Sequence, residues 1–214
     1  AEELIRSKGA IPSFKGYNGF PFTICASVDD QVVHGFPNSK PLKEGQVVSI
    51  DCGLILDGWQ SDSAFTRIVG EGTPEAKQLV EVTEKCFWLA ANQAREGNRL
   101  GDISHAVQEY AEKFGYGVIR DLCGHGIGRE MHEDPNVPNF GPAGRGVKLR
   151  AGMTLAIEPM IAMGGWPVYC EDDDWTIVTR DHSICSHYEH TILITKGEPE
   201  ILSYPGKTVA EVLG

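Results

Sequence analysis

No stretch of this chain stays apolar long enough to span a bilayer, and its first residues do not read as a signal peptide. Positive charge is scarce: 19 Lys and Arg stand against 30 Asp and Glu, a net charge of −11. That balance argues against nucleic acid or an anionic membrane surface as a main partner. Cys25, Cys52, Cys86, Cys123, Cys170 and Cys185 include no C-x-x-C pair, so a zinc-finger reading is weak. Free thiols in a reducing cytosol are a simpler reading than disulfides. No short-period repeat, low-complexity stretch or clear linker interrupts the 214 residues. A hydrophobic content of 41% supplies a core, and the length suits one large domain over 1–214 or two small ones.

What is present begins with Asp51 and Asp62. They lie on two strand-like runs, Val47–Leu56 and Trp59–Thr66, joined by Asp57-Gly58. Asp-Gly between β-rich runs is a strong hairpin signal. A turn there sets Leu56 opposite Trp59 and Gly53 opposite Asp62. Asp51, two residues from Gly53, then shares a face with Asp62. Two like charges on one face call for a cation between them, and a divalent metal would serve. Two solvated aspartates on an exposed face would fit the hairpin equally well.

The remaining pattern predicts strands, then two helices, then strands. Ala1–Lys8 resembles the last turns of a helix ended by Gly9, so the chain reads as truncated at its N-terminus. A strand is expected over Thr23–Val33. Thr73-Pro74 opens a helix whose apolar positions Leu79, Val82, Cys86, Leu89 and Ala90 carry it to Gly97. Asp102 is expected to cap a second helix ending at Gly115. Val118–Arg120, Met153–Ile157, Trp175–Thr179 and Glu189–Thr195 read as strands, and 134–146 as a long loop. This order suggests α+β architecture, an antiparallel sheet with helices on one side.

Several further residues could carry chemistry, each ambiguous alone. His125 sits between glycines in Cys123-Gly124-His125-Gly126, which leaves its imidazole open, though a turn histidine would look the same. Glu158 ends the apolar run Leu155-Ala156-Ile157, where a lone buried charge needs a partner; arginine or a metal would do. Glu189 opens a second apolar strand. His34 and His132 could polarise a substrate carbonyl or cap a strand. His105, His182, His187 and His190 read as surface or structural.

Taken in order, Ser49-Ile50-Asp51, Ser61-Asp62-Ser63, Cys123 to Gly128, Ile157-Glu158-Pro159-Met160 and Tyr188-Glu189-His190-Thr191 resemble type I methionine aminopeptidases of the pita-bread metallopeptidase superfamily. Each motif is weak alone, and five in order are specific. The resemblance covers about Ile5 to Leu202. It implies a pita-bread fold: a curved antiparallel sheet, helices on its outer face and two pseudo-two-fold halves. It implies two divalent metal ions (Co, Mn, Fe or Zn) held by Asp51, Asp62, His125, Glu158 and Glu189, with Asp62 and Glu189 bridging. It implies a metal-activated hydroxide, with Glu158 shuttling a proton and His34 and His132 contacting the substrate.

The methionine pocket of the family would map to Tyr17, Phe20, Cys25 and Trp175, with Phe14 and Met131 completing its wall. An aromatic residue is more usual where Met131 stands. Substrates would be N-terminal methionyl peptides of nascent chains, met by a cytoplasmic monomer; a ribosome contact is left open. The family's second helical pair would precede Gly9, and only its last turns are present. Two alternatives stay open: a prolyl-type aminopeptidase of the same fold, and a non-catalytic pita-bread binding module.

Overall fold

The computed structural model describes residues 1–214. In chain order, a short helix α1 (Glu2–Ser7) leads to strands β1 (Ile11–Pro12), β2 (Cys25–Val28) and β3 (Gln31–Val33). The long hairpin β4 (Val47–Leu56) and β5 (Trp59–Ile68) follows, then helices α2 (Pro74–Gln93) and α3 (Leu100–Glu112). Short strands fill most of the rest: β6 (Gly117–Val118), β7 (Gly124–Gly126), β8 (Glu133–Val137), β9 (Thr154–Ile157), β10 (Met160–Ala162) and β11 (Val168–Cys170). They continue as β12 (Ile177–Thr179), β13 (Cys185–His187), β14 (Glu189–Leu193) and β15 (Glu200–Ile201), before helix α4 (Val209–Leu213).

The main sheet runs β1-β4-β5-β14-β9-β7-β8, with β2 also on β4 and β15 also on β14. Its ladders are antiparallel throughout. Two three-stranded sheets, β13-β10-β6 and β11-β12-β3, stand beside it. The Asp57-Gly58 hairpin has the expected register, Leu56 opposite Trp59 and Gly53 opposite Asp62. Both turn residues have positive φ, 52° at Asp57 and 77° at Gly58, as a type I′ turn requires.

Helix α2 starts where Thr73 and Pro74 predict. The Thr73 hydroxyl accepts from the Ala76 amide at 3.2 Å. Leu79, Val82, Cys86, Phe87 and Ala90 are buried along its inner face. They meet Ile103 and Val107 of α3 and Leu155, Ile157 and Ile192 of the sheet in one core. Each such side chain contributes about 1.5–3 kcal/mol by burial, which holds the helical pair on one face of the sheet. The observed layers are therefore antiparallel sheet with helices on one side.

Four local expectations need correction. The strand expected over Thr23–Val33 breaks into β2, which pairs with β4, and β3, which pairs with β12, with Asp29 at positive φ between them. Asp102 is not the cap residue of α3; it is three residues inside, and its carboxylate accepts from the Arg99 amide at 2.7 Å and the Gly144 amide at 2.7 Å. Its role in starting the helix survives, and the helix begins three residues earlier than expected. Residues 134–146 are not all loop, because Glu133–Val137 pairs with β7 as β8 despite its proline. Proline is tolerated there because β8 is an edge strand. The strand expected over Trp175–Thr179 starts at Ile177, since the Asp173 carboxylate holds the Trp175 and Thr176 amides at 2.9 and 2.7 Å in a turn.

Candidate metal centre

Asp51, Asp62, Glu189, Glu158 and His125 come from or directly follow five neighbouring strands, β4, β5, β14, β9 and β7. Register brings them together. Ala64 of β5 faces Asp51 on one side and Glu189 on the other. Its methyl side chain leaves the space between them open, and Asp62 stands two residues along on the same face. His125 is level with Ala156, so Glu158 follows at the end of that strand. Thr191 ties the row: its hydroxyl accepts from the Asp62 amide and donates to the Asp62 carbonyl, both at 3.0 Å.

Glycines make this convergence possible. A Cβ on Gly124 would strike the Ala156 carbonyl, and one on Gly126 the Asp134 carbonyl, so β7 could not wedge between its neighbours. A Cβ on Gly53 would lie 2.6 Å from Phe14 and 2.9 Å from Met131, inside the wall of the adjoining cavity.

The His125 ring is oriented by its own backbone neighbour. Nδ1 donates to the Gly126 carbonyl at 2.8 Å, because a carbonyl can only accept. The lone pair of Nε2 therefore faces the Glu158 Oε1, 3.7 Å away. Two acceptors pointed at one another need a proton or a metal ion between them. The carboxylates repeat the message. Burial, followed by the neighbouring Asp62 and Glu158 charges, pushes Asp51 well above the usual range. Burial and the Glu158 charge raise Asp62 to about 7. Burial raises Glu158 to about 7, opposed by His125, and pushes Glu189 up strongly. Asp51 Oδ1, Asp62 Oδ1 and Glu189 Oε1 are buried with no hydrogen-bond partner. No Lys or Arg lines the cavity to neutralise them. Such a donor set fits divalent metal. Donor atoms of Asp62, His125 and Glu189, and separately of Asp51, His187 and Glu189, lie within 4.8 Å of one another.

All thirteen candidate site residues line one cavity of about 200 Å³. Phe14, Tyr17, Phe20, Cys25, Met131 and Trp175 form its mostly apolar end. Phe20 meets Trp175 edge-on with ring centroids 5.1 Å apart. The Cys25 thiol is pushed far up by burial and by Asp51, so it stays protonated and acts as an apolar wall group. His34 and His132 stand at the cavity with their pKa values lowered by burial, hence neutral. His34 adopts φ of 60°, an unusual conformation for a non-glycine residue, just before Gly35, where a Cβ would strike the Ala26 backbone. His132 Nδ1 is 2.8 Å from the Tyr17 hydroxyl, and its ring is 4.3 Å from that of His125.

The family model for metallopeptidase family M24 matches residues 1–196. The chain belongs to metallopeptidase family M24. It is 53% identical over 204 residues to a methionine aminopeptidase of Clostridium acetobutylicum, covering 95% of this chain and 82% of that one. A methionine aminopeptidase 1 of Bacillus subtilis is 48% identical over 95% of this chain and 82% of its own. A crystal structure of methionine aminopeptidase from Thermotoga maritima superposes with a TM-score of 0.92 at 50% identity, over 94% of this chain and 81% of that one. A prolidase from Pyrococcus horikoshii matches at 24% identity with a TM-score of 0.63, over 84% of this chain and 47% of that one, a likeness of fold alone. The chain thus has the pita-bread fold of M24, and the orphaned oxygens of its central row suit the metal ions of a metallopeptidase.

Sequence reasoning missed two residues here. Asn18 also lines the cavity, from a glycine-flanked turn that gave no chemical signal. His187, read as surface or structural, is buried with Nε2 3.6 Å from both Glu158 Oε2 and Glu189 Oε2. Its spacing of two from Glu189 was the available signal, since i and i+2 share a strand face. His190 is structural, with Nδ1 2.9 Å from the Ser203 hydroxyl; His182 is exposed and His105 half-buried.

Proposed function

We propose that this chain is a methionine aminopeptidase that removes N-terminal methionine from peptides and nascent proteins. One observation carries the reading: a row of unneutralised carboxylates and a lone-pair-forward imidazole closes one end of a cavity whose other end is aromatic and thioether. Asp51, Asp62, His125, Glu158 and Glu189 would hold two divalent ions. Bound there, such ions would ionise a water near neutral pH and polarise a carbonyl.

The chain's own groups would do the rest. The carboxylate row attracts the free α-ammonium of a substrate. Phe20, Trp175, Tyr17, Cys25, Phe14 and Met131 enclose an unbranched, polarisable side chain, whereas a charged one would be desolvated without a partner. Neutral His132 stands to donate a hydrogen bond to the carbonyl oxygen as it gains charge, its other nitrogen engaged with Tyr17. His34, fixed in its strained turn, would hold the scissile amide. Glu158, at the edge of the row, would take a proton and return it to the leaving amine.

No helix is long and apolar enough to cross a membrane. A cytoplasmic monomer working on chains leaving the ribosome is the setting this reading favours, and six free cysteines suit a reducing compartment. Methionyl and X-prolyl tripeptides, assayed with and without added Mn or Co after chelation, test the proposal. Metal-dependent release of methionine alone is expected. Cleavage of prolyl substrates, or metal binding with no turnover, would overturn it.

A further inference from the structure

His187 has no part in the chemistry above, yet it is better fixed than most residues of the site. Its backbone is held twice by one hydroxyl: the His187 amide donates to Thr66 Oγ1 at 3.0 Å, and Thr66 Oγ1 donates to the His187 carbonyl at 2.7 Å. Ser49 Oγ lies 2.7 Å from the same oxygen and supplies the remaining hydrogen. The imidazole is almost wholly buried, and it does not line the cavity. It stands behind the carboxylates, where Nε2 has no hydrogen-bond partner and lies 3.6 Å from Glu158 Oε2 and 3.6 Å from Glu189 Oε2.

The two oxygens of each carboxylate are thereby sorted. Both Oε2 atoms face His187. Glu158 Oε1 faces the lone pair of His125, and Glu189 Oε1 is an unpartnered buried atom. An Nε2 without a proton would set three acceptors together with no hydrogen among them, at the cost of leaving buried polar groups unsatisfied. A proton on Nε2 gives the pair one donor at their shared edge. We infer that His187 is a positioning residue whose Nε2 proton, aimed at the edge shared by the two Oε2 atoms, orients Glu158 and Glu189 so that their Oε1 atoms face the metals. The inference rests on Glu158 and Glu189 being metal ligands. It explains why a histidine is anchored so firmly where it touches no substrate.

Long-range proton–nitrogen correlation spectra of the full chain labelled with ¹⁵N-histidine, recorded before and after zinc chloride, test both levels. Zinc should move the His125 Nε2 resonance to a metal-bound position while His187 keeps a protonated Nε2. A zinc-bound Nε2 on His187, or a proton on its Nδ1, overturns the positioning role while leaving the ligand assignment standing. An unmoved His125 overturns the ligand assignment and this inference with it.

Two variants add kinetic arms. H187L removes the donor and should lose about 10–100-fold in kcat or metal affinity, with KM for a methionyl peptide little changed. H187Q restores an N–H donor and should recover to within about threefold of the parent, a rescue that lost packing would not show. Parent-like behaviour of H187L, or equal loss in both variants, refutes the role. The spectra use the unsubstituted chain, so they decide even where a variant fails to fold.

Discussion

Stripped of metal, the buried carboxylate row of this protein should contribute less stability as the pH rises from about 4.5 to about 7, opposite to the usual behaviour of acidic groups in folded proteins, while His187 and His190, each lowered to about 4 by burial, work the other way from about 4 to about 6.5. Glu158 is raised from its ordinary 4.5 to about 7 by burial. Such a carboxyl binds more protons folded than unfolded between those two values, so stability falls as pH climbs through the window. At about 1.4 kcal/mol per pH unit, Glu158 alone accounts for about 3 kcal/mol. Asp62, raised from 3.8 to about 7, acts in the same direction over a slightly wider window. The two share neighbours, so their effects are not additive, and about 3–5 kcal/mol is the expected loss for the row. Metal ions take the place of those protons. Loading at a thousandfold excess over Kd stabilises by about 4 kcal/mol, which offsets the loss near neutral pH and releases protons. Urea unfolding of chelated and Mn-loaded protein from pH 5 to 8 measures the first effect. Titration calorimetry in buffers of different ionisation enthalpy counts the protons. A metal-free parent whose stability falls with pH no more than that of E158Q, or metal uptake with no proton release, would refute the reasoning.

E158Q keeps the shape of the site and loses its proton carrier, so peptide turnover should fall by at least about 100-fold while the circular dichroism spectrum is retained; undiminished turnover would remove Glu158 from the mechanism. G53A pushes a methyl against Phe14 and Met131. It should cost about 1–3 kcal/mol of stability and raise KM for methionyl substrates more than it lowers kcat. T191V deletes the hydroxyl that satisfies both the amide and the carbonyl of Asp62, and denaturant unfolding should register a loss of about 1–3 kcal/mol.

The hairpin was readable because it is local. Asp57-Gly58 fixes the turn, the turn fixes the register, and register sets Asp51 and Asp62 on one face within twelve residues of chain. Helix α2 was readable for the same reason, from Thr73, Pro74 and its apolar spacing. The other candidate ligands were not readable singly. His125, Glu158 and Glu189 meet the aspartates only through the order β4-β5-β14-β9-β7, and nothing near those residues specifies which strand pairs with which. Five motifs in sequence order, through their likeness to a family, stood in for that missing information. His187 escaped because a short strand of Cys185, Ser186 and His187 has no polar–apolar alternation to reveal its buried face. The strand at Glu133–Val137 escaped because an edge strand tolerates the Pro and Asn that mark loops.

The strand that carries Glu189 is the last ligand strand to be synthesised and also the middle one, seated between β5 and β9. Until it arrives, the aspartate hairpin and the His125–Glu158 side share no ladder across that gap. A ribosome-bound intermediate ending before residue 189 would therefore expose two half-sheets with facing unpaired edges and no competent centre. The same late strand both joins the two halves of the sheet and brings Glu189 into the row.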